Sequence, residues 1–358
     1  MALPRIPQSA SRILGALGPL LALILVFLGF AAAETLTLEP GRRAVFLTPD
    51  NLRAIAVNSG AIAVCALGMT AIIIAGGIDL SVGTGLALCA TVLAVCLKEN
   101  WSPVAAIAMT LATGALLGAI NGSLISALRV PAFIVTLGTM QIYLGAGKLL
   151  AETADGAATV RPNVTTQVPP WLQGLLSTRE HSLWPNWQTG QPAVDQLINW
   201  MSYPWGIWVG LLLALALSVV LRYTVFGRYL YAIGSNEATA RLCGVSVPLV
   251  RIAVFVVGGL FVGLAGIYQF SRLSSGNPTS GLGLELKVIA AVVIGGGSLN
   301  GGRGSILGTL AGAALMSVIA SGCTQLGLQN PLQDVVLGAI IVAAVTLDNI
   351  REQKFRTA

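Results

Sequence analysis

The sequence predicts an all-α, polytopic membrane protein of about ten transmembrane helices, with broken or short helices near residues 76–83 and 295–303. Three observations carry that expectation. Only 9% of the 358 residues are charged and 55% are hydrophobic, whereas soluble domains average about a quarter charged residues. Long uncharged runs, such as residues 54–78, 100–128 and 252–271, match the roughly 20 apolar residues a spanning helix needs. The 42 glycines suit helices that approach closely in lipid, where no hydrophobic force acts between them.

Residues 13–33 follow Arg5 and Arg12 and form the first run. It ends at Ala31-Ala32-Ala33-Glu34, as a cleavable signal peptide can. At about 20 residues it is long for a signal core, so an uncleaved first helix is expected. Further helices are expected at about 54–76, 80–97, 103–127, 132–150, 205–221, 251–270, 285–299, 304–322 and 332–348. All belong to a single transmembrane domain, 1–358.

Lys and Arg in short loops mark the cytoplasmic side. Residues 222–251 carry Arg222, Arg228, Arg241 and Arg251 against Glu237 alone, which places the 222–250 loop inside. The long 151–204 stretch, with Glu152, Asp155, Glu180 and Asp195 against Arg161 and Arg179, belongs outside. Beyond Leu347, Arg351, Lys354 and Arg356 outweigh Asp348 and Glu352. An even count with both termini cytoplasmic satisfies all three. The 34–53 loop, with Arg42, Arg43 and Arg53 against Glu34, Glu39 and Asp50, is near neutral and falls outside. The outer stretch holds Trp171, Trp184, Trp187 and Trp200, and Trp205 and Trp208 begin the next helix. These tryptophans read either as an interfacial belt with short surface helices or as a docking surface for an external partner.

The residue inventory excludes several chemistries. His181 is the only histidine, so neither a histidine metal site nor a triad is expected. Cys65, Cys89, Cys96, Cys243 and Cys323 lack metal-ligand spacing and read as small apolar residues. Gly145-Ala-Gly-Lys148-Leu149 lacks the upstream glycine and the following Ser/Thr of a phosphate loop. No catalytic set, cofactor site or nucleotide site is expected. The net charge of +6 reflects inner loops, with no basic stripe for nucleic acid.

Two stretches carry information. In Ala75-Gly-Gly-Ile-Asp-Leu-Ser-Val-Gly83, Asp79 interrupts apolar runs, at a cost of about 2.5–3.5 kcal/mol if ionised at mid-bilayer. Gly76, Gly77 and Gly83 let the helix break there, toward the cytoplasm by parity. Asp79 then either caps the next helix, with Ser81 in its first turn, or takes part in a solute path or gate. Gly295-Gly296-Gly297-Ser-Leu-Asn-Gly-Gly302 echoes that stretch, and paired glycine breaks point to internal repeats in transporters. On the inner loop, Asn236 suits an N-cap, Glu237 a helix start and Gly244 a left-handed stop. A helix of about seven residues is expected, either a plain connection or an element that presses into a soluble partner. Asn58, Asn121, Gln141 and Gln269 are polar residues inside apolar runs, and each suits a solute path or a bond to a neighbouring helix.

Residues 76–83, Gly227-Arg-Tyr-Leu-Tyr-Ala-Ile-Gly-Ser-Asn-Glu237 with Arg241 and Gly244, Ser271-Arg-Leu-Ser-Ser-Gly-Asn-Pro-Thr-Ser280, and 286–302 resemble ribose-type sugar permeases of bacterial ABC importers. The likeness covers most of 50–350 and departs at residues 1–50 and in the 151–204 loop. The resemblance implies a multi-pass inner-membrane permease that moves a monosaccharide. Its partners would be a second permease copy, an ABC ATP-binding subunit and a periplasmic sugar-binding protein. It also implies that Asn236, Glu237, Ala238, Arg241 and Gly244 meet the ATPase. The rival expectations are a branched-chain amino acid ABC permease and a stand-alone secondary transporter coupled through Asp79.

Overall fold

Several helix starts in this chain coincide with a hydroxyl side chain, in two cases followed directly by proline, which fills the first helical position without losing a bonded N–H. Thr48 Oγ1 accepts the Asn51 N–H at 3.4 Å ahead of Pro49, and Ser102 Oγ accepts the Ala105 N–H at 3.3 Å ahead of Pro103. The computed structural model describes residues 8–37, 44–155, 163–176, 191, 194–195, 204–329, 331–336, 338–340, 342–343 and 346. The expectations for His181, Trp184, Trp187, Trp200, Arg42, Arg43 and the charges beyond Leu347 lie outside the described residues.

In chain order the elements are α1 (Gln8–Thr37), α2 (Pro49–Ile74), α3 (Val82–Lys98), α4 (Pro103–Leu128), α5 (Ala132–Asp155), β1 (Val164–Thr165), α6 (Pro170–Gln173), α7 (Gly206–Tyr223), α8 (Val225–Ser235), α9 (Glu237–Leu242), α10 (Val247–Leu273), β2 (Ser275–Gly276), α11 (Leu284–Ile294) and α12 (Ile306–Gln325). Among the described residues, α2, α4, α5, α7, α10, α12 and Gly18–Thr37 of α1 are long and apolar enough to cross a membrane. The chain is therefore an all-α, multi-pass membrane protein. The expectation of ten spans had counted α11 as one. At 11 residues it is about 16 Å long, roughly half of a bilayer core.

The centre of the bundle is α10, packed against α4, α2 and α3. Glycine makes the α4–α10 contact possible. Gly114, Gly118 and Gly122 of α4 lie against the backbone at Gly259, Phe255 and Ile252, where a Cβ would strike it. This is a small-residue seam at four-residue spacing, and it places the middle of α4 against the middle of α10.

That seam gives a ruler for depth. The end bearing α8 and α9 is called here the lower end. From Ala75 the chain leaves α2 at the lower end, where Gly76 takes φ +78° beside Gly234 of α8. It then climbs unhelically to Asp79 and Ser81, which sit with Gly118 and Gly259 at the bundle's middle. The sequence expectation put the whole break toward the cytoplasm. Extended backbone advances about 3.3 Å per residue, so a few residues carry Asp79 to mid-depth.

A second break mirrors the first. After α10 ends at the upper end, residues 274–283 descend along α3. Gly276 packs on Thr91 and Ala94, and Gly281 packs on Gly83 and Ala87. Here α11 starts and runs down to Gly295, which abuts Gly308 of α12. The N-termini of α3 and α11 therefore meet at mid-depth and their helices run in opposite directions. The structural counterpart of 76–83 is thus 274–283, and the 295–302 match proposed from sequence is corrected. Residues 295–302 form the turn between α11 and α12, with Gly296 at φ +90°, and Gly302 N–H donates to the Ile74 carbonyl at 2.9 Å. The glycine-rich echo arose because both stretches turn at the lower end. Gly83 also departs from expectation. It lies inside the first turn of α3, where a Cβ would meet the Gly281 carbonyl and the Glu285 carboxylate, so it serves close approach.

At the upper end, β1 pairs antiparallel with β2, Val164 opposite Gly276. Leu176 N–H donates to Ser271 Oγ at 3.1 Å, Ser271 Oγ donates to the Leu172 carbonyl at 2.7 Å, and the Tyr268 hydroxyl donates to the Gly206 carbonyl at 2.6 Å. Short α6, with Trp171 half-exposed, is pinned there by the Trp205 Nε1–H bond to the Trp171 carbonyl at 3.1 Å.

Candidate functional site

The first break is sealed by its own Ser81 and by side chains from α4 and α5. Asp79 is 5% exposed, and its Oδ1 accepts both the Ser81 N–H at 2.8 Å and the Ser81 hydroxyl at 2.6 Å. From α4, the Asn121 amide donates to Ser81 Oγ at 2.9 Å and reaches Asp79 Oδ2 at 3.4 Å. From α5, the Tyr143 hydroxyl donates toward Asn121 Oδ1 and the Leu117 carbonyl, each at 3.0 Å. Thr136 Oγ1 accepts the Leu80 N–H at 3.0 Å and approaches the Ile78 carbonyl at 3.3 Å. The cavity left beside Asp79 is about 10 Å³, room for one water at most. Backbone broken inside a membrane must be satisfied by protein or water, and here the protein does it. Asp79 takes the N–H two residues on, so the capping expected from sequence is an Asx-type turn at Ser81. Ser81 itself stands at the N-cap of α3 without a side-chain cap bond.

The second break is open. Thr279 is exposed, and Asn277 and Ser280 are half-buried. Asn277 Oδ1 accepts the Thr279 N–H at 2.9 Å and its hydroxyl at 2.7 Å, and Ser280 Oγ donates to the Asn277 carbonyl at 2.7 Å. In the first turn of α11, Glu285 Oε1 accepts the Gly283 N–H at 3.1 Å. Its Oε2 is buried against Gly83 without a hydrogen-bond partner. A carboxylate between two converging helix N-termini offsets their positive ends.

The lower end carries α9. Asn236 Oδ1 accepts the Thr239 N–H at 2.9 Å, and Gly244 stops the helix at φ +84°. Six residues long, α9 is one shorter than expected. Glu237 is shared between Arg241 at 2.9 Å and Arg251 at 2.8 Å, which staples α9 to the start of α10. Ala238 is exposed and Leu242 is 90% exposed, so one face of α9 is bare. Preceding it, α8 was missed from sequence because its short amphipathic run sits in a charged loop. Its Gly234 lies on the Ile74 carbonyl and the Gly302 N–H. The path from α9 therefore runs through α8 to the end of α2, and so to the break that leads up to Asp79. Beside it is a cavity of about 760 Å³ lined by Gly76, Arg129, Glu237, Arg241, Arg251 and Phe255 among others.

Of the polar residues singled out from sequence, the structure unites Asp79, Ser81 and Asn121. Asn58 is exposed near the upper end, where its Oδ1 accepts from Arg272 Nη1 at 2.8 Å. Gln141 is exposed on α5, and Gln269 is buried within α10. Gly145–Leu149 is helical within α5. Cys243 is exposed, and the other four cysteines are buried. Sequence reasoning missed Tyr143, Thr136, Arg272, Glu285 and Lys287. The last two carried the signal that flagged Asp79, charge beside an apolar stretch, but no role was drawn from them within the helix expected at 285–299.

Residues 51–345 match the family model described as branched-chain amino acid transport system / permease component. The chain is similar to the ribose import permease protein RbsC of Escherichia coli K12, 37% identical over 316 residues, spanning 88% of this chain and 89% of that one. The ribose import permease protein RbsC of Bacillus subtilis 168 is 36% identical over 307 residues, 85% of this chain and 86% of that one. The xylose transport system permease protein XylH of Escherichia coli K12 is 31% identical over 343 residues, 86% and 87% of the two chains. No solved structure matches.

Proposed function

The chain belongs to the family described as branched-chain amino acid transport system / permease component, and from that premise we propose that it is the membrane-spanning permease subunit of an ATP-driven importer for a ribose-like pentose or a hexose. The observation that carries this reading is near full-length likeness to permeases named for ribose and xylose import. The family description mentions amino acids, and the relatives' names favour sugar. As a transport subunit it is not itself an enzyme, and ATP hydrolysis belongs to a separate ATP-binding subunit.

In this reading the lower end is cytoplasmic, both termini lie inside, and the protein sits in the bacterial inner membrane. The 151–204 loop faces the periplasm, where a sugar-binding protein delivers cargo. A second permease copy, identical or not, completes the channel. The bare face of α9 meets the ATP-binding subunit through Ala238, Arg241 and Leu242, with Asn236, Glu237 and Gly244 holding the helix in shape. Closure of the ATPase dimer pushes α9. The push passes through Gly234 of α8 to the end of α2 and reorients the bundle from inward- to outward-open. The binding protein supplies affinity, so the path need offer only weak polar contacts.

A stand-alone transporter coupled through Asp79 would need a proton or ion route to that carboxylate, and Asp79 is enclosed by Ser81 and Asn121. The test is uptake of D-ribose and D-xylose by proteoliposomes, with and without the ATP-binding subunit and the sugar-binding protein. Uptake that requires both partners and ATP is expected. Uptake driven by a proton or sodium gradient in vesicles lacking the ATPase contradicts the proposal.

A further inference from the structure

We propose that residues 274–283, the second break, line the solute path, with Asn277, Thr279 and Ser280 as its polyol-binding contacts and Lys287 at its floor; the sugar part of this rests on the function proposed above. Four observations carry it. First, the segment reaches mid-depth, since Gly276 lies on the upper part of α3 and Gly281 on Gly83, level with the Asp79 cluster. Second, it is irregular apart from the two-residue strand β2, and irregular backbone at membrane depth is tolerated only when buried in protein or lining water.

Third, it is only partly buried: Gly276, Pro278 and Gly281 are buried, and the polar residues between them are not. Thr279 is exposed, Asn277, Ser280 and Glu285 are half-buried, and Leu282 and Leu286 are 51% and 53% exposed. The first break is the internal control, because Asp79 and Ser81 at the same depth are 5% and 3% exposed. Fourth, beside the exposed leucines the open face carries a charge unsuited to lipid. Lys287 is half-buried at mid-depth with no partner among the described residues, and a charge at that depth faces protein or water. Above it Arg272 holds Asn58.

The free groups match a sugar. Thr279 and Ser280 donate their hydroxyl protons to Asn277, which leaves their oxygen lone pairs as acceptors, and the Asn277 amide retains its N–H donors. Neighbouring donors and acceptors on short side chains pair with vicinal hydroxyls without binding them tightly, as a path requires.

The experiment uses the complete transporter in proteoliposomes, with Cys243→Ser to remove the exposed thiol. Thr279→Cys and Ser280→Cys are each treated with a membrane-impermeant thiosulfonate from the binding-protein side, in nucleotide-free, ATP-bound and vanadate-trapped states. Leu212→Cys, on the exposed apolar face of α7, is the control. Labelling of Thr279→Cys in at least one state, about tenfold faster than Leu212→Cys, is expected. Protection by the ribose-loaded binding protein and about tenfold slower ribose uptake by Thr279→Leu, restored by Thr279→Ser, complete the expectation. Absence of labelling in every state overturns the proposal. A disulfide between two copies through Thr279→Cys overturns it in favour of an interface. Labelling without uptake of ribose or xylose supports the lining and overturns the sugar assignment. Pentose uptake without labelling overturns the lining and leaves the proposed function standing.

Discussion

The two breaks sit at the same depth, on glycine-rich segments, each opening a helix toward the other, yet they are built oppositely. At the first, Ser81, Asn121, Tyr143 and Thr136 satisfy the freed groups from within the bundle. At the second, Asn277, Thr279 and Ser280 bond mostly to one another and stay reachable. The difference teaches that interruption of a membrane helix is not itself a functional mark. What separates architecture from pathway is whether protein or water completes the hydrogen bonds.

Variants break or sharpen that contrast. The largest effect is expected where the breaks touch. Gly83→Val or Gly281→Val would drive a side chain into the facing backbone and cost about 3 kcal/mol or more. Loss of monodisperse protein after solubilisation checks this, and normal yield would mean the breaks do not meet. Next is Asp79→Leu, which strands the Ser81 and Asn121 donors at about 1–3 kcal/mol each. It should lower the thermal midpoint, and Asp79→Asn should lower it less. If Asp79→Leu and Asn121→Ala prove additive, the sealed cluster is not a unit.

Away from the breaks, Arg241→Ala removes one exposed pair worth about 0.2–1 kcal/mol and keeps the Glu237–Arg251 pair that staples α9 to α10, so it leaves folding nearly intact. It should instead uncouple ATP hydrolysis from uptake, and unchanged uptake per ATP would count against α9 as the coupling element. Smallest on stability is Thr279→Val at the open break, within about 0.5 kcal/mol by unfolding. A large loss there would show Thr279 to be structural.

Much of this was legible in the sequence, and the exceptions share a cause. Hydropathy runs located the spans because lipid imposes one length scale, and Asn236, Glu237 and Gly244 marked α9 because capping is local. Starts were set too late at α2 and α10, where Pro49 and Pro248 open the helix inside what read as loop. The partner of the first break was misassigned, since Gly281 meeting Gly83 and Gly302 meeting Ile74 are contacts between distant segments that composition does not encode. Glu285 and Lys287 fell inside the helix expected at 285–299 and drew no role, because nothing in 274–283 announces that it turns back into the membrane. The Asp79–Ser81–Asn121 cluster was half-visible: the carboxylate stood out, while Tyr143 and Thr136 looked like any polar residue in an apolar run.

One measurement sets the two breaks against each other directly. Ser81→Cys and Thr279→Cys, each in the Cys243→Ser background, are exposed to the same impermeant thiol reagent while the reconstituted transporter hydrolyses ATP. Reaction of Thr279→Cys that changes with nucleotide, beside a silent Ser81→Cys, is the predicted result. Equal reactivity at the two positions, or reaction at Ser81→Cys alone, would contradict the assignment of one break to architecture and the other to the path.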